Sequence, residues 1–252
     1  MPIPIEWDLT GKTAIVTADR RGWTPYLVSA LAEAGADIAV AGADGSDAAE
    51  AAEAAREHGR TVLIIETDVT RSEEVEAAVE RTARELGSVD ILVNNARLEF
   101  GKPFAEVSED EWRTVMDFNV MSMFHWCQSA GRRMLSQGGG RIINLSSGLA
   151  VRGLWNSVAA CAAQGAIHQL TAALALEWAH DNVRVNGIGA GWFSTDRPTE
   201  EDQKELLVRY LPLRRKGHPE DLSGLLIYLA SDACDFVTGQ TVFIDGGALA
   251  HA

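Results

Sequence analysis

Along this chain, short and nearly unbroken apolar runs rich in β-branched residues alternate with longer stretches whose apolar positions recur at helical spacing. The short runs predict strands over residues 13–17, 37–41, 61–66, 90–94, 141–146, 183–188 and 241–244. The longer ones predict helices over 25–34, 48–58, 72–86, 108–137, 157–180 and 219–230. Local punctuation agrees with these bounds. Gly35 stands where a helix end calls for a left-handed residue, Pro25 suits a first helical turn, and Ser72 and Ser108 precede acidic residues as N-caps do. Such alternation builds right-handed crossovers on a parallel sheet with helices on both faces. Strands without inside–outside alternation fit a sheet covered on both sides. No repeat, linker or compositional break divides residues 1–252. The expectation is one doubly wound α/β domain with a seven-stranded parallel sheet in the order 3-2-1-4-5-6-7. Ligands of such sheets bind beyond the carboxyl ends of the strands, so the residues that follow each strand carry the chemistry.

Charge and cysteine usage narrow the function classes. Thirty-six acidic against twenty-two basic side chains give a net charge of −14, which repels nucleic-acid phosphates and anionic lipid. No apolar run approaches the ~20 residues that span a bilayer, and the N-terminus carries Glu6 and Asp8 without a basic leader. Neither a nucleic-acid nor a membrane partner is expected. The three cysteines, Cys127, Cys161 and Cys234, form no CxxC pair and fit a reducing cytoplasm. Cys161 reads as a buried small thiol. His125 and His168 are spaced for neither a metal nor a triad, and no metal site is expected.

The strand ends carry a chain of motifs. They run Leu9-Thr-Gly-Lys-Thr-Ala-Ile-Val-Thr17, Asp68-Val69, Asp90-Ile-Leu-Val-Asn-Asn-Ala96, Asn119-Val120 and Gly140-Arg-Ile-Ile-Asn-Leu-Ser-Ser147. They continue through Gly165-Ala-Ile-His-Gln-Leu-Thr171, Val183-Arg-Val-Asn186 and Val237-Thr-Gly-Gln-Thr241 to Asp245-Gly-Gly247. In this order they resemble the short-chain dehydrogenase/reductase family, closest in appearance to its sugar-acid and gluconate-type dehydrogenases. The resemblance implies a Rossmann fold, an NAD(P) cofactor and oxidoreductase activity. It also implies assembly as dimers or tetramers through two long central helices and the last strand. The site it implies holds Asn119 and Ser147 as retained catalytic positions. Around the cofactor it places Thr17, Ala18, Gly22, Trp23, Asp68, Val69, Asn95, Ala96, Arg97 and Thr195, with residues 192–217 as a substrate lid. Trp155, Trp192 and Phe193 fall on the substrate side.

The departures from the family pattern fall on its chemistry. The family's general acid/base tyrosine is replaced by Ala160, and the lysine one helical turn later, which lowers that tyrosine's pKa, by Gln164. No tyrosine lies between Tyr26 and Tyr210 and no lysine between Lys102 and Lys204, so only Tyr210, from the lid, is placed to substitute. Alanine has no proton to give and glutamine no charge to depress a phenol. The glycine-rich turn reads Thr17-Ala-Asp-Arg-Arg-Gly22-Trp-Thr24, with Ala18 and Thr24 at two of its three glycine positions and Asp19 beside the phosphate path. Arg97 replaces the glycine that borders the nicotinamide ribose. Gly42-Ala-Asp44 offers no well-placed arginine or acid for the adenosine ribose, and Ala190 stands for the usual proline.

Three readings follow, in this order. The chain is a pseudoenzyme or non-catalytic subunit, assembling with itself or with an active paralogue, with cofactor binding absent or weak. Alternatively it is a repurposed enzyme doing non-redox acid/base work with Ser147, Asn119, Arg97 and Asp19, or a residual NAD(P)-dependent oxidoreductase. Ser147 and Asn119 are equally readable as strand-end residues that satisfy the backbone. A further expectation is that the protein's own side chains close the nucleotide cleft, through an Arg97–Asp19 pair with added bulk from Trp23.

Overall fold

The structure is a computed structural model in which residues 5–43, 47–197, 199 and 204–250 are described. Seven parallel strands form one sheet in the order β3-β2-β1-β4-β5-β6-β7, as the crossover rule requires. In chain order they are Thr13–Thr17 (β1), Asp37–Gly42 (β2), Val62–Glu66 (β3), Ile91–Asn94 (β4), Gly140–Ser147 (β5), Val183–Ala190 (β6) and Thr241–Ile244 (β7). The α-helices are Thr24–Glu33 (α1), Ala48–Glu57 (α2), Ser72–Leu86 (α3), Glu109–Met116 (α4), Ser122–Gln137 (α5), Val158–Trp178 (α6), Leu206–Tyr210 (α7) and Ser223–Ala230 (α8). One core, on the face of α1 and α8, gathers Val16, Leu27, Leu31, Ile188, Leu226 and Leu229. The other, under α3, α5 and α6, gathers Ile15, Leu92, Trp126, Met134, Ile142 and Ile167. A sheet sealed on both faces has no need of period-two patterning. The two edges differ: Ile64 on β3 and Val242 on β7 are each 41% exposed, because an edge strand has a covering neighbour on one side only.

Several expected elements change in detail. The single helix over 108–137 is three pieces. Ser108 caps α4 in a capping box with Glu111, and a π-helical turn at Asp117–Met121 then separates α4 from α5. Asn119 is the cause. Its Nδ2 donates to the Val115 carbonyl at 3.0 Å, one turn back, and to the Leu98 carbonyl at 3.0 Å, and its Oδ1 accepts the Leu98 N–H at 3.1 Å. A side chain that takes a carbonyl from its own helix and ties it to a neighbouring loop widens the turn, and such bulges favour functional sites. Ser72 lies inside α3; Arg71 holds the cap position with no side-chain bond. The strand predicted to end at Ile188 continues to Ala190, paired with Ser147 and Ile244. Alanine keeps the N–H that proline would remove from the ladder.

The stretch Val158–Asp181 is long and apolar enough to cross a membrane by length and composition, which the run-based reading missed because Gln164, His168 and Gln169 interrupt it. Here α6 packs along the sheet, with Ala163, Ile167, Thr171 and Ala175 buried.

Candidate active site

The carboxyl ends of β1, β4, β5 and β6 open toward a cavity of about 480 Å³. Ser147 at the end of β5, Asn119 in the π turn, and Ala160 and Gln164 on α6 all border it. Trp192 and Phe193 after β6 and Asp245 after β7 close the far side, and Arg97 and Trp23 enter from the β4 and β1 ends. The structure therefore brings together the four positions that the sequence assigned to the reaction. Trp155 is an exception among the expected substrate-side residues. It is 91% exposed and outside the cavity, because the loop carries it past the rim while Leu154 turns in.

These groups have limited chemical capacity. The carboxamide of Asn119 is committed to Leu98 and Val115, so its geometry is that of a backbone clamp. Ser147 Oγ accepts the Leu149 N–H at 3.2 Å and keeps its own proton to donate. Asp245 accepts the Gly247 and Leu249 N–H groups at 2.9 and 2.7 Å, which orders the last turn. Gln164 is buried, and its Oε1 has no hydrogen-bond partner. Tyr210 stays outside the cavity lining: its ring lies 6.3 Å from Trp192, and its hydroxyl accepts from Arg152 Nη1 at 3.4 Å. Cys161 is half-buried rather than buried, its thiol 3.8 Å from the Arg152 carbonyl.

The expected cofactor residues after β1, β4 and β6 gather at the β1 end, whereas Asp68 and Val69 follow β3, two strands away in the sheet. Thr17 Oγ1 accepts the N–H groups of Asn95 and Ala96 at 2.8 and 2.9 Å, tying β1 to β4. Ala18 is buried, and its N–H joins the Ala41 carbonyl. Gly22 adopts φ +76°, a conformation open to glycine. A Cβ there would stand 3.4 Å from Thr195, so the loops after β1 and β6 meet. Asp68 is bent into its own turn, accepting the Thr70 N–H and hydroxyl, and these bonds hold its pKa below the usual carboxylate range. Val69 is buried in the core. Trp23 is buried with its ring 5.2 Å from Phe193. Asp44 lies outside the described residues.

The expected Arg97–Asp19 pair does not form. Asp19 Oδ2 takes Arg21 Nε at 2.5 Å, and Arg21 Nη2 donates to the carbonyl and Oδ1 of Asn95 at 2.6 and 2.9 Å. The Arg21 guanidinium also lies 4.2 Å from the Trp23 ring centroid. Arg21 wins because it shares a turn with Asp19, whose Oδ1 also accepts the Arg21 N–H. Arg97 instead reaches Glu99 at 2.8 Å. Burial, and then the positive charge of Arg21, lower its pKa.

A second carboxylate was not foreseen. Asp47 Oδ2 accepts the Thr24 N–H at 3.1 Å, at the first residue of α1, where phosphate oxygens sit in dinucleotide-binding folds. Burial, with the nearby Asp19 charge, raises the pKa of Asp47 despite its bonds to Thr24. No motif marks Asp47, because the contact bridges two loops. Among the described residues, no group of three metal-ligating side chains forms.

Comparison with known proteins agrees with this architecture. A family profile described as enoyl-(acyl carrier protein) reductase matches residues 18–248. A 2-dehydro-3-deoxy-D-gluconate 5-dehydrogenase of Dickeya dadantii is 37% identical over 97% of this chain and 98% of its own. A 5-keto-D-gluconate 5-reductase of Escherichia coli is 32% identical over 96% and 97%. The crystal structure of a gluconate 5-dehydrogenase from Burkholderia cenocepacia, in complex with NADP and tartrate, superposes with a TM-score of 0.89 at 31% identity, covering 98% of each chain. With the sheet order and the strand-end motifs, these likenesses settle the family: the chain belongs to the short-chain dehydrogenases/reductases and resembles their gluconate-type members.

Proposed function

We propose that this chain keeps the short-chain dehydrogenase/reductase fold without ordinary hydride transfer. It serves instead as a pseudoenzyme or non-catalytic subunit that assembles with itself or with an active paralogue. The observation that carries this reading is the lining of the cavity. Ala160 and Gln164 occupy the places where the family resemblance puts tyrosine and lysine, and neither residue type borders the cavity among the described residues. Losing a positioned acid/base removes about 10²–10⁴ in rate.

The cofactor half supports the same reading. A dinucleotide needs free amides at the start of the first helix and open volume beside the ribose. Here the Thr24 amide serves Asp47, Arg21 joins Asp19 to Asn95, and Arg97 extends into the cavity. In this arrangement the residues do not fit NAD(P). Assembly is supported by exposed apolar side chains on the elements through which the family joins subunits, namely Met121 in the π turn, Phe124 on α5, Leu176 on α6 and Val242 on β7. Three free cysteines suit a reducing cytoplasm.

The test is a turnover assay with 5-keto-D-gluconate and 2-dehydro-3-deoxy-D-gluconate, with NAD(H) and NADP(H), beside native mass measurement. The expected result is an oligomer with no turnover. The double variant Ala160→Tyr/Gln164→Lys should gain little until Ala18, Thr24 and Arg97 are also returned to glycine. Turnover by the unmodified chain overturns the reading.

A further inference from the structure

The cavity joins a mostly apolar wall to a cation that has no counter-ion among the described residues. Leu98, Phe100, Leu149, Leu154, Trp192 and Leu249 supply the wall. Arg152 enters from the turn after β5, its guanidinium 5.4 Å from the Trp192 ring centroid and 5.8 Å from that of Tyr210. Arg152 Nη1 gives one N–H to the Tyr210 hydroxyl at 3.4 Å, and aromatic faces hold a guanidinium in place while leaving its other in-plane N–H groups for a further acceptor. Among the described residues no carboxylate comes within ion-pair distance of Arg152.

Gln164, only 2% exposed, borders the same space with an unpartnered Oε1. A buried acceptor left unpaired is unfavourable, and the complement it lacks is a hydroxyl or N–H donor. Both residues line the one cavity, Arg152 from the turn after β5 and Gln164 from α6. Cys161, one turn before Gln164, places its thiol 3.8 Å from the Arg152 carbonyl. The remaining carboxylates of the cavity do not neutralise this end, since Asp245 is held by two backbone amides and Glu99 pairs with Arg97.

We propose that this cavity binds a small hydroxycarboxylic acid with an apolar body, its carboxylate on the Arg152 guanidinium and its hydroxyl donating to Gln164 Oε1. The volume, about 480 Å³, falls in the range of small-ligand pockets. The wall separates this ligand from the sugar acids that name the relatives. Each hydroxyl of a sugar acid that is set against leucine or tryptophan would lose its water without a replacement hydrogen bond, a cost an apolar body avoids. The assignment rests on the reading that the site has given up hydride transfer, and binding is therefore measured without nucleotide.

The probe is 3-phenyllactate, titrated calorimetrically into the full chain. Three controls accompany it: 3-phenylpropanoate without the hydroxyl, 3-phenyl-1,2-propanediol without the charge, and D-gluconate without the apolar body. Phenyllactate should bind at least about tenfold more tightly than each control, the scale of one lost charged or buried hydrogen bond. Arg152→Met should lower phenyllactate to the level of the diol, and Gln164→Leu should bring it to that of phenylpropanoate. The proposal is overturned if phenyllactate shows no binding at millimolar concentration, if the diol or gluconate binds as tightly, or if Arg152→Met leaves its affinity unchanged. A parallel assay with NAD(P) keeps the two claims apart. Oxidation of bound phenyllactate would refute the loss of hydride transfer and leave the ligand assignment standing. Absence of both binding and turnover would refute the ligand alone.

Discussion

Replacing Arg21 by methionine isolates the clasp at the mouth of the nucleotide cleft. The Arg21 side chain is 15% exposed and that of Asp19 is 4% exposed. The variant keeps the stem that packs near Trp23 but removes the ion pair at 2.5 Å and both bonds to Asn95. Asp19 would retain the Arg21 backbone N–H as its local partner. Leaving one member of a buried pair costs about 3–5 kcal/mol. The partial exposure of the arginine brings the expectation down to about 2–4 kcal/mol. The assay is urea unfolding with linear extrapolation on the unmodified chain, Arg21→Met, Asp19→Asn and the double variant. Because Asp19→Asn removes the stranded charge, the double variant should be less stable than Asp19→Asn by a smaller amount than Arg21→Met is relative to the unmodified chain. The coupling should be about 1–3 kcal/mol. A loss below about 0.5 kcal/mol for Arg21→Met, within the range of ordinary surface substitutions, would refute the clasp.

Asn119→Ala should destabilise the protein by about 2–4 kcal/mol, since it strips partners from the Leu98 amide and two carbonyls at once; a loss under about 1 kcal/mol would return Asn119 to a role other than the clamp. Asp47→Asn should stabilise the protein at neutral pH, with the gain vanishing below the ordinary aspartate pKa of 3.8. The sign follows from the raised folded-state pKa: the folded protein binds the proton more tightly, so stability falls as pH rises from 3.8 through that raised value. Denaturation midpoints at acid and neutral pH check it, and a variant equally stable or less stable at neutral pH contradicts it. Thiol labelling of the native protein should reach Cys161 first. Burial pushes the Cys127 thiol up to about 12 and raises that of Cys234, so faster labelling of either would show that the core opens.

The sheet was legible because each strand is a short apolar run bounded by turn residues, and because parallel strands admit few connections. Edge strands escaped the reading: Ile64 and Val242 have the same composition as buried strand residues, and exposure depends on position in the sheet. The site was legible at Ser147, Ala160 and Gln164, whose spacing along β5 and α6 brings them to one cavity. The partner of Asp19 was misjudged because Arg21 and Arg97 are equal candidates by charge, and the short turn decides between them. Asp47 and Arg152 left no signal of their own. Their roles come from where two loops meet and from which rings stand beside a guanidinium.

Calorimetric titration of the purified chain with NAD(H) and NADP(H), beside the Arg97→Gly variant, decides whether a dinucleotide enters the cleft. No saturable heat is expected at millimolar nucleotide for the unmodified chain. Little recovery is expected in Arg97→Gly, because Asp47 still holds the Thr24 amide and Arg21 still spans Asp19 and Asn95. Micromolar binding by the unmodified chain, or a crystal structure with a dinucleotide along Gly22, would contradict this expectation.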